Sequence, residues 1–285
     1  MTTKPMPTNI PRRQLGRQLR EIRQGAGLSI EHLARLLGRG ATTVQRLETG
    51  TANSIRVSDL EGICELCNAE DKLAGLVRLS QEAGKPDQGW WHQYEEFLAD
   101  NFASYLSLEA NATRLTQYQP SLCPGLLQTP SYIRALSRLS DMPPEEIDDA
   151  VAIRTRRQRL VTRSRSPLPL DVVVEEAVLR RVVGGLSVMA EQARHMADMS
   201  ENVELRVIPI GAPYPYGGHI GSFVILELVN EPSVVYLEQL NTNIYYDHVR
   251  TVHGYRQAHQ ALKRVALSPG DSKLLLRRIA REFMQ

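Results

Sequence analysis

In the stretch ATTVQRLETG, Ala41 to Gly50, hydrogen-bonding side chains crowd a segment too short to be a core helix. Thr42 and Arg46 stand four residues apart, which on a helix places them on one face, with Ala41 at its tip and Gln45 beside them. Arginine is the commonest reader of guanine, through paired N–H donors, and threonine or alanine can meet a thymine methyl. The chemistry this set suits is base reading in a DNA major groove, with Ala41, Thr42, Gln45 and Arg46 at the base edges. Such a reader also needs phosphate contacts to hold its register. Arg20, Arg39, Thr43 and Arg56 are the side chains expected at the DNA backbone.

A short helix can present these groups only if its neighbours hold it. Ser29 is expected to cap a preceding helix whose apolar face is Leu33, Leu36 and Leu37, and the small Ala34 gives room for a steep helix crossing. Gly38 or Gly40 can take the left-handed turn that ends it, and the next helix then buries only Val44 and Leu47 before stopping at Gly50. Two helices so joined form a helix-turn-helix, and the second is narrow enough for a groove about 12 Å wide. Helical spacing continues on both sides, through Leu15, Leu19 and Ile22 and then Leu60, Ile63, Leu73, Leu76 and Leu79. Residues 12–83 therefore read as a five-helix domain behind a flexible arm, 1–11. The segment GKPDQG, 84–89, reads as a linker to a C-terminal domain, 90–285.

The charge balance agrees with a polyanion partner. The chain of 285 residues carries +2 overall, but residues 1–57 hold ten Lys/Arg against three acids, +7, which leaves −5 for the rest. Clustered cations, not a high total, neutralise phosphates, although a basic face can also be merely solvated. Hydrophobic content of 42% and charged content of 23% are ordinary for a globular protein. No apolar run approaches the roughly 18 residues that span a bilayer, and the N-terminus lacks the apolar core of a signal peptide. Three cysteines are too few for a disulfide framework. A cytoplasmic location is expected.

Past the linker, WWHQYEEFLADNFASYLSLEANATRLTQYQ reads as helix, and Thr129 and Pro130 as the cap and first position of another. Strand patterns come late, in LDVVVEE, VELRVIPI, SFVILELV and SVVYLEQL, the last two joined as a hairpin through NEPS. Helical patterns over Tyr245–Leu267 and Gly270–Phe283 close the chain. The fold expected is mainly α with an α+β C-terminal part, a five-helix domain followed by helices and a small β-sheet.

Other chemistries find less support. Cys64 and Cys67 spell CxxC inside a helical pattern with no second pair or nearby histidine, so core packing is expected and no metal site. The histidines form no metal-binding motif. His219 lies in a glycine-rich loop beside Tyr214 and Tyr216, where a small aromatic or acidic ligand could be held, or where the loop is only structural. Glu175, Glu176 and Glu238 are expected on strands, where adjacent residues point to opposite faces, so Glu175 and Glu176 cannot share a site. No enzyme and no cofactor is expected. The arginine-rich helix Val151–Arg165 has four open readings: a solvated face, a second DNA contact, a dock for an acidic partner, or pairing with the acids of PPEEIDDA.

The segment LGRQLREIRQGAGLSIEHLARLLGRGATTVQRLETG resembles the Xre-type helix-turn-helix regulators of phage-repressor kind. In that resemblance Ala34, Gly38, Val44 and Leu47 match the helix-packing positions, and Ala41, Thr42 and Arg46 the base-reading ones. Glu48 matches the acid that pairs with an arginine of the first helix, here Arg23. Farther along, EEAVLRRVVGG, GHIGSFVILEL and VVYLEQL, with the segment from Gly89 to Leu136, resemble the WhiJ-type, antitoxin-like regulators. This implies a transcriptional regulator that works with a small BldB-like partner protein. The reading is a homodimer on a near-palindromic double-stranded operator, with a small-molecule input at the tyrosine-rich loop as the alternative.

Overall fold

The computed structural model describes residues 10–52, 54–84, 90–94, 102–229, 231–239 and 243–285. Residues 1–9 of the expected arm and 85–89 of the expected linker lie outside them. The chain divides into two compact units, Met1–Leu108 and Glu109–Gln285.

The first unit contains α1 (Ile10–Gly25), α2 (Ile30–Leu36), α3 (Ala41–Glu48), α4 (Val57–Leu66) and α5 (Leu73–Gly84). Their apolar stripes meet in one core, which includes Leu15, Leu19, Leu33, Ala34, Val44, Leu47, Leu60, Ile63 and Leu76. Each fully buried leucine contributes about 1.5–3 kcal/mol. Leu36, expected in this core, is instead 49% exposed. With Leu33 and Ala34 buried in so short a helix, position 36 faces away from them, and the half-buried Leu37 takes its place.

The first four helices end in the same way. A left-handed residue, Gly27, Gly38, Gly50 or Asn68, follows each. The next amide then reaches back to close the last turn: Leu28 to Arg23 O, Arg39 to Ala34 O, Thr51 to Arg46 O, and Ala69 to Cys64 O. These are Schellman caps, for which glycine lacks the Cβ penalty and asparagine tolerates it. At the opening of α2, Ser29 Oγ accepts from His32 N at 3.1 Å, as expected.

Helix α6 (Phe102–Ala110) spans the division between the units. The second unit is built on a six-stranded mixed sheet of β1 (Ala112–Gln119), β2 (Leu170–Glu175), β3 (Val203–Ile208), β4 (Phe223–Leu228), β5 (Glu231–Glu238) and β6 (Asn243–Tyr246). The order is β3-β2-β1-β4-β5-β6. Strands β1, β2 and β3 run parallel, and the crossovers between them carry α7 (Pro130–Leu139) with α8 (Pro144–Thr162), then α9 (Glu176–Arg180) with α10 (Leu186–Ala197). The other pairings are antiparallel, including the expected β4–β5 hairpin. Thr129 caps α7 and Pro130 opens it, as expected. Of the closing helices α11 (Val249–Val265) and α12 (Pro269–Glu282), α11 covers a sheet face whose core includes Tyr118, Val173, Phe223, Ile225 and Val235.

Three expectations fail here. Residues 112–119, read as helix, form a central strand, and Tyr245 and Tyr246, read as the start of a helix, belong to β6. Glu176 is not on a strand but opens α9.

Candidate nucleic-acid interface

Helix α3 is fixed from behind and free in front. Val44 and Leu47 are fully buried, whereas Ala41, Thr42, Thr43 and Arg46 are exposed and Gln45 is half-buried. The set expected to read bases thus shares one outward surface, flanked by Thr43.

Two contacts lock the far end of this helix. Glu48 is 4% exposed, and Arg23 of α1 grips it as a fork, its Nη2 2.8 Å from Oε2 and its Nε on Oε1. The third nitrogen of Arg23 donates to Leu28 O at 2.7 Å. The hydrogen bonding of Arg23 to Glu48, aided by the carboxylate's charge and opposed by burial, raises the arginine pKa, so the guanidinium stays charged. The second contact is Gly16. A Cβ there would lie 2.6 Å from Glu48 O and 2.9 Å from Gly50 N, so α1 touches the last turn of α3 backbone to backbone. Sequence reading missed Gly16; its signal was a glycine inside an otherwise regular helical pattern.

The expected phosphate contacts are placed unequally. Arg56 is exposed beside the first turn of α4. Arg20 is about half-exposed and leans on Glu48, its Nη2 3.4 Å from the carbonyl oxygen. Arg39 is engaged: its Nε donates to Asp59 Oδ1 at 2.8 Å, which ties the turn before α3 to α4. Not all of the N-terminal charge faces outward, because Arg13 and Arg23 are buried and Arg12 donates to the carbonyls of Ala52 and Ala83.

Residues 14–76 match the family model described as a helix-turn-helix domain, and residues 102–278 match that of a domain of unknown function, DUF5753. The chain belongs to the DUF5753 family. No curated protein matches it. The helix-turn-helix ahead of the DUF5753 unit marks a DNA-binding regulator, and among the described residues no helix is long and apolar enough to cross a membrane.

Within the DUF5753 unit, Tyr216 and His219 line a cavity of about 380 Å³ beside α11. Tyr214 is left outside it, 70% exposed, with its hydroxyl donating to Gly218 O at 2.8 Å. The three carboxylates expected on strands are engaged or apart: Tyr118 donates to Glu175 at 2.8 Å, Glu176 accepts from Arg180 and from Ile210 N, and Glu238 ends β5 exposed. In the first unit, Cys64 is buried and Cys67 half-buried, and burial raises both thiol pKa values. Among the described residues no group of three ligating side chains could hold a metal. In α8, Arg157 is buried and forks onto Glu109 at 2.8 and 2.9 Å, an arrangement outside the four readings of this helix. Asp148 pairs instead with Arg134 of α7.

Proposed function

We propose that the protein is a transcriptional regulator of Xre type that binds a specific double-stranded DNA operator as a homodimer, with one α3 in each of two successive major grooves. The observation that carries this reading is the outward face of α3: Thr42 and Arg46 exposed one turn apart on a helix whose other face and last turn are locked. In this reading Arg46 reads a guanine, Ala41, Thr42 and Gln45 meet neighbouring base edges, and Arg20, Thr43 and Arg56 hold phosphates. Arg39 assists through its link to Asp59. No catalytic step and no cofactor enters, and the site of action is cytoplasmic DNA.

The DUF5753 unit is the input. Docking of a small BldB-like protein is one form of it, supported by a groove between α10 and α12 where Leu274 and Met284 are exposed beside Arg194 and Arg281. A small-molecule input is the second, supported by the cavity beside α11.

Selection of duplexes from a random pool by the full-length protein tests the DNA reading. An inverted repeat with half-site centres about one helical turn apart is expected. A pool that shows no enrichment, or a single asymmetric site bound by a monomer, would contradict it.

A further inference from the structure

The cavity beside α11 is lined by two kinds of side chain. Leu237, Ala258 and the rings of Tyr216 and Tyr255 give it apolar and aromatic surface. Tyr255 is held in place, because its ring packs edge-on against the buried Phe223, with centroids 5.1 Å apart. Arg250, Thr251, His219, Ser222 and Gln239 add groups that can donate hydrogen bonds. No carboxylate lines the cavity among the described residues, so the exposed guanidinium of Arg250 has no acid within it. Arg250 and Thr251 also sit in the first turn of α11, where backbone N–H groups lack helical acceptors and the helix dipole favours an anion.

Two glycines border this space. Gly254 lies inside α11, where glycine weakens a helix relative to alanine, yet a Cβ built there meets nothing within 4 Å and its backbone is not left-handed. Gly221 on the loop side is open in the same way. Neither residue is required by packing or by backbone conformation. Both border a volume of about 380 Å³, within the range of small-ligand sites, which a larger side chain at Gly254 would enter.

We propose that this cavity binds a small aromatic monocarboxylate, with the ring against Tyr216, Tyr255 and Leu237 and the carboxylate on Arg250. Apolar walls bury the ring, and the guanidinium offers a fork that matches a carboxylate. The claim deepens the small-molecule reading and rests on it, but it is independent of whether α3 reads DNA.

Calorimetric titration of the full-length protein tests it, with benzoate, 4-hydroxybenzoate and indole-3-acetate as probes. Benzamide supplies the ring without the charge, and acetate the charge without the ring. At least one aromatic carboxylate should bind at one site per chain, and both controls at least about tenfold more weakly. Arg250→Gln should weaken the bound probe about tenfold or more, and Gly254→Leu, which fills the cavity, should abolish binding while the unfolding midpoint stays near that of the parent. Absence of binding by all three acids would overturn the proposal, as would benzamide binding as well as benzoate. Should Gly254→Leu not fold, Arg250→Gln decides: binding unchanged by it places the site elsewhere. Operator binding measured on the same samples separates the claims, since retained DNA binding without probe binding sinks only the pocket.

Discussion

Arg46 and Arg23 are both arginines of the helix-turn-helix, and their environments assign them opposite tasks. Arg46 is exposed on the outer face of α3, where its fork is available to a base pair. Replacing it by alanine should cost about 1–3 kcal/mol of operator affinity and relax specificity at one base pair, as read by titrating a set of single-base operator variants. Arg23 is 7% exposed and holds the buried Glu48. Arg23→Ala strands that carboxylate in the core, and a loss of about 3–5 kcal/mol in urea unfolding is expected. A double change of Arg23 to Met and Glu48 to Leu should recover much of it, because the desolvation cost disappears with both charges. A loss that the double change leaves in place would mean that the pair supplies net attraction.

At the scale of elements, the reading helix depends on how closely α1 approaches its end. Gly16→Ala introduces a methyl within 2.6 Å of Glu48 O, and backbone cannot yield as a flexible side chain does. An overpacking cost of roughly 1–3 kcal/mol should appear in thermal unfolding, together with a loss of operator affinity, because α3 must shift. Unchanged values for both would show that the two helices part freely. Much of this unit was legible in the sequence, since its rules are local: Ser29 before an apolar stripe, Gly38 and Gly50 after short helices, and Val44 and Leu47 as the inward apolar residues of α3, beside which Glu48 is buried too. The second unit was less legible because its signals are non-local. Leu115 and Tyr118 stand three apart and read as a helical face, yet β1 is held by β2 and β4, strands that begin 58 and 111 residues later than it does. The buried Arg157–Glu109 fork was equally hidden, its partners lying 48 positions apart. Within the candidate interface, the fork of Arg39 on Asp59 was the contact that no motif announced.

For the whole molecule, proton and salt linkage give two expectations. His259 is 1% exposed, and burial lowers its pKa below the ordinary 6.5, outweighing the Asp171 carboxylate 3.8 Å away. Lys263 and Arg114 on that carboxylate lower it further, and Glu204 opposes them. Below pH 6.5 the unfolded chain takes up a proton that the folded chain refuses, so the stability from this group is present above 6.5 and lost as pH falls through the lowered value. The urea midpoint should drop between about pH 7 and about pH 5, and His259→Gln should flatten the slope; His195, shifted the same way by burial, keeps a remainder. A slope unchanged by His259→Gln would assign the effect elsewhere. In DNA binding, the proposed dimer, using Arg20 and Arg56 from each protomer, neutralises about four phosphates, so log K should fall with log salt at a slope of about −3.6. A slope near zero would remove the phosphate clamp. The central claim is that α3 reads sequence through Arg46, and anisotropy titrations of the parent and Arg46→Ala against the selected duplex and a scrambled one test it most directly. The parent should prefer the selected duplex by about 10³ or more, and Arg46→Ala should lose affinity for that duplex alone. Equal binding of both duplexes by the parent, or an equal loss on both in the variant, would contradict it.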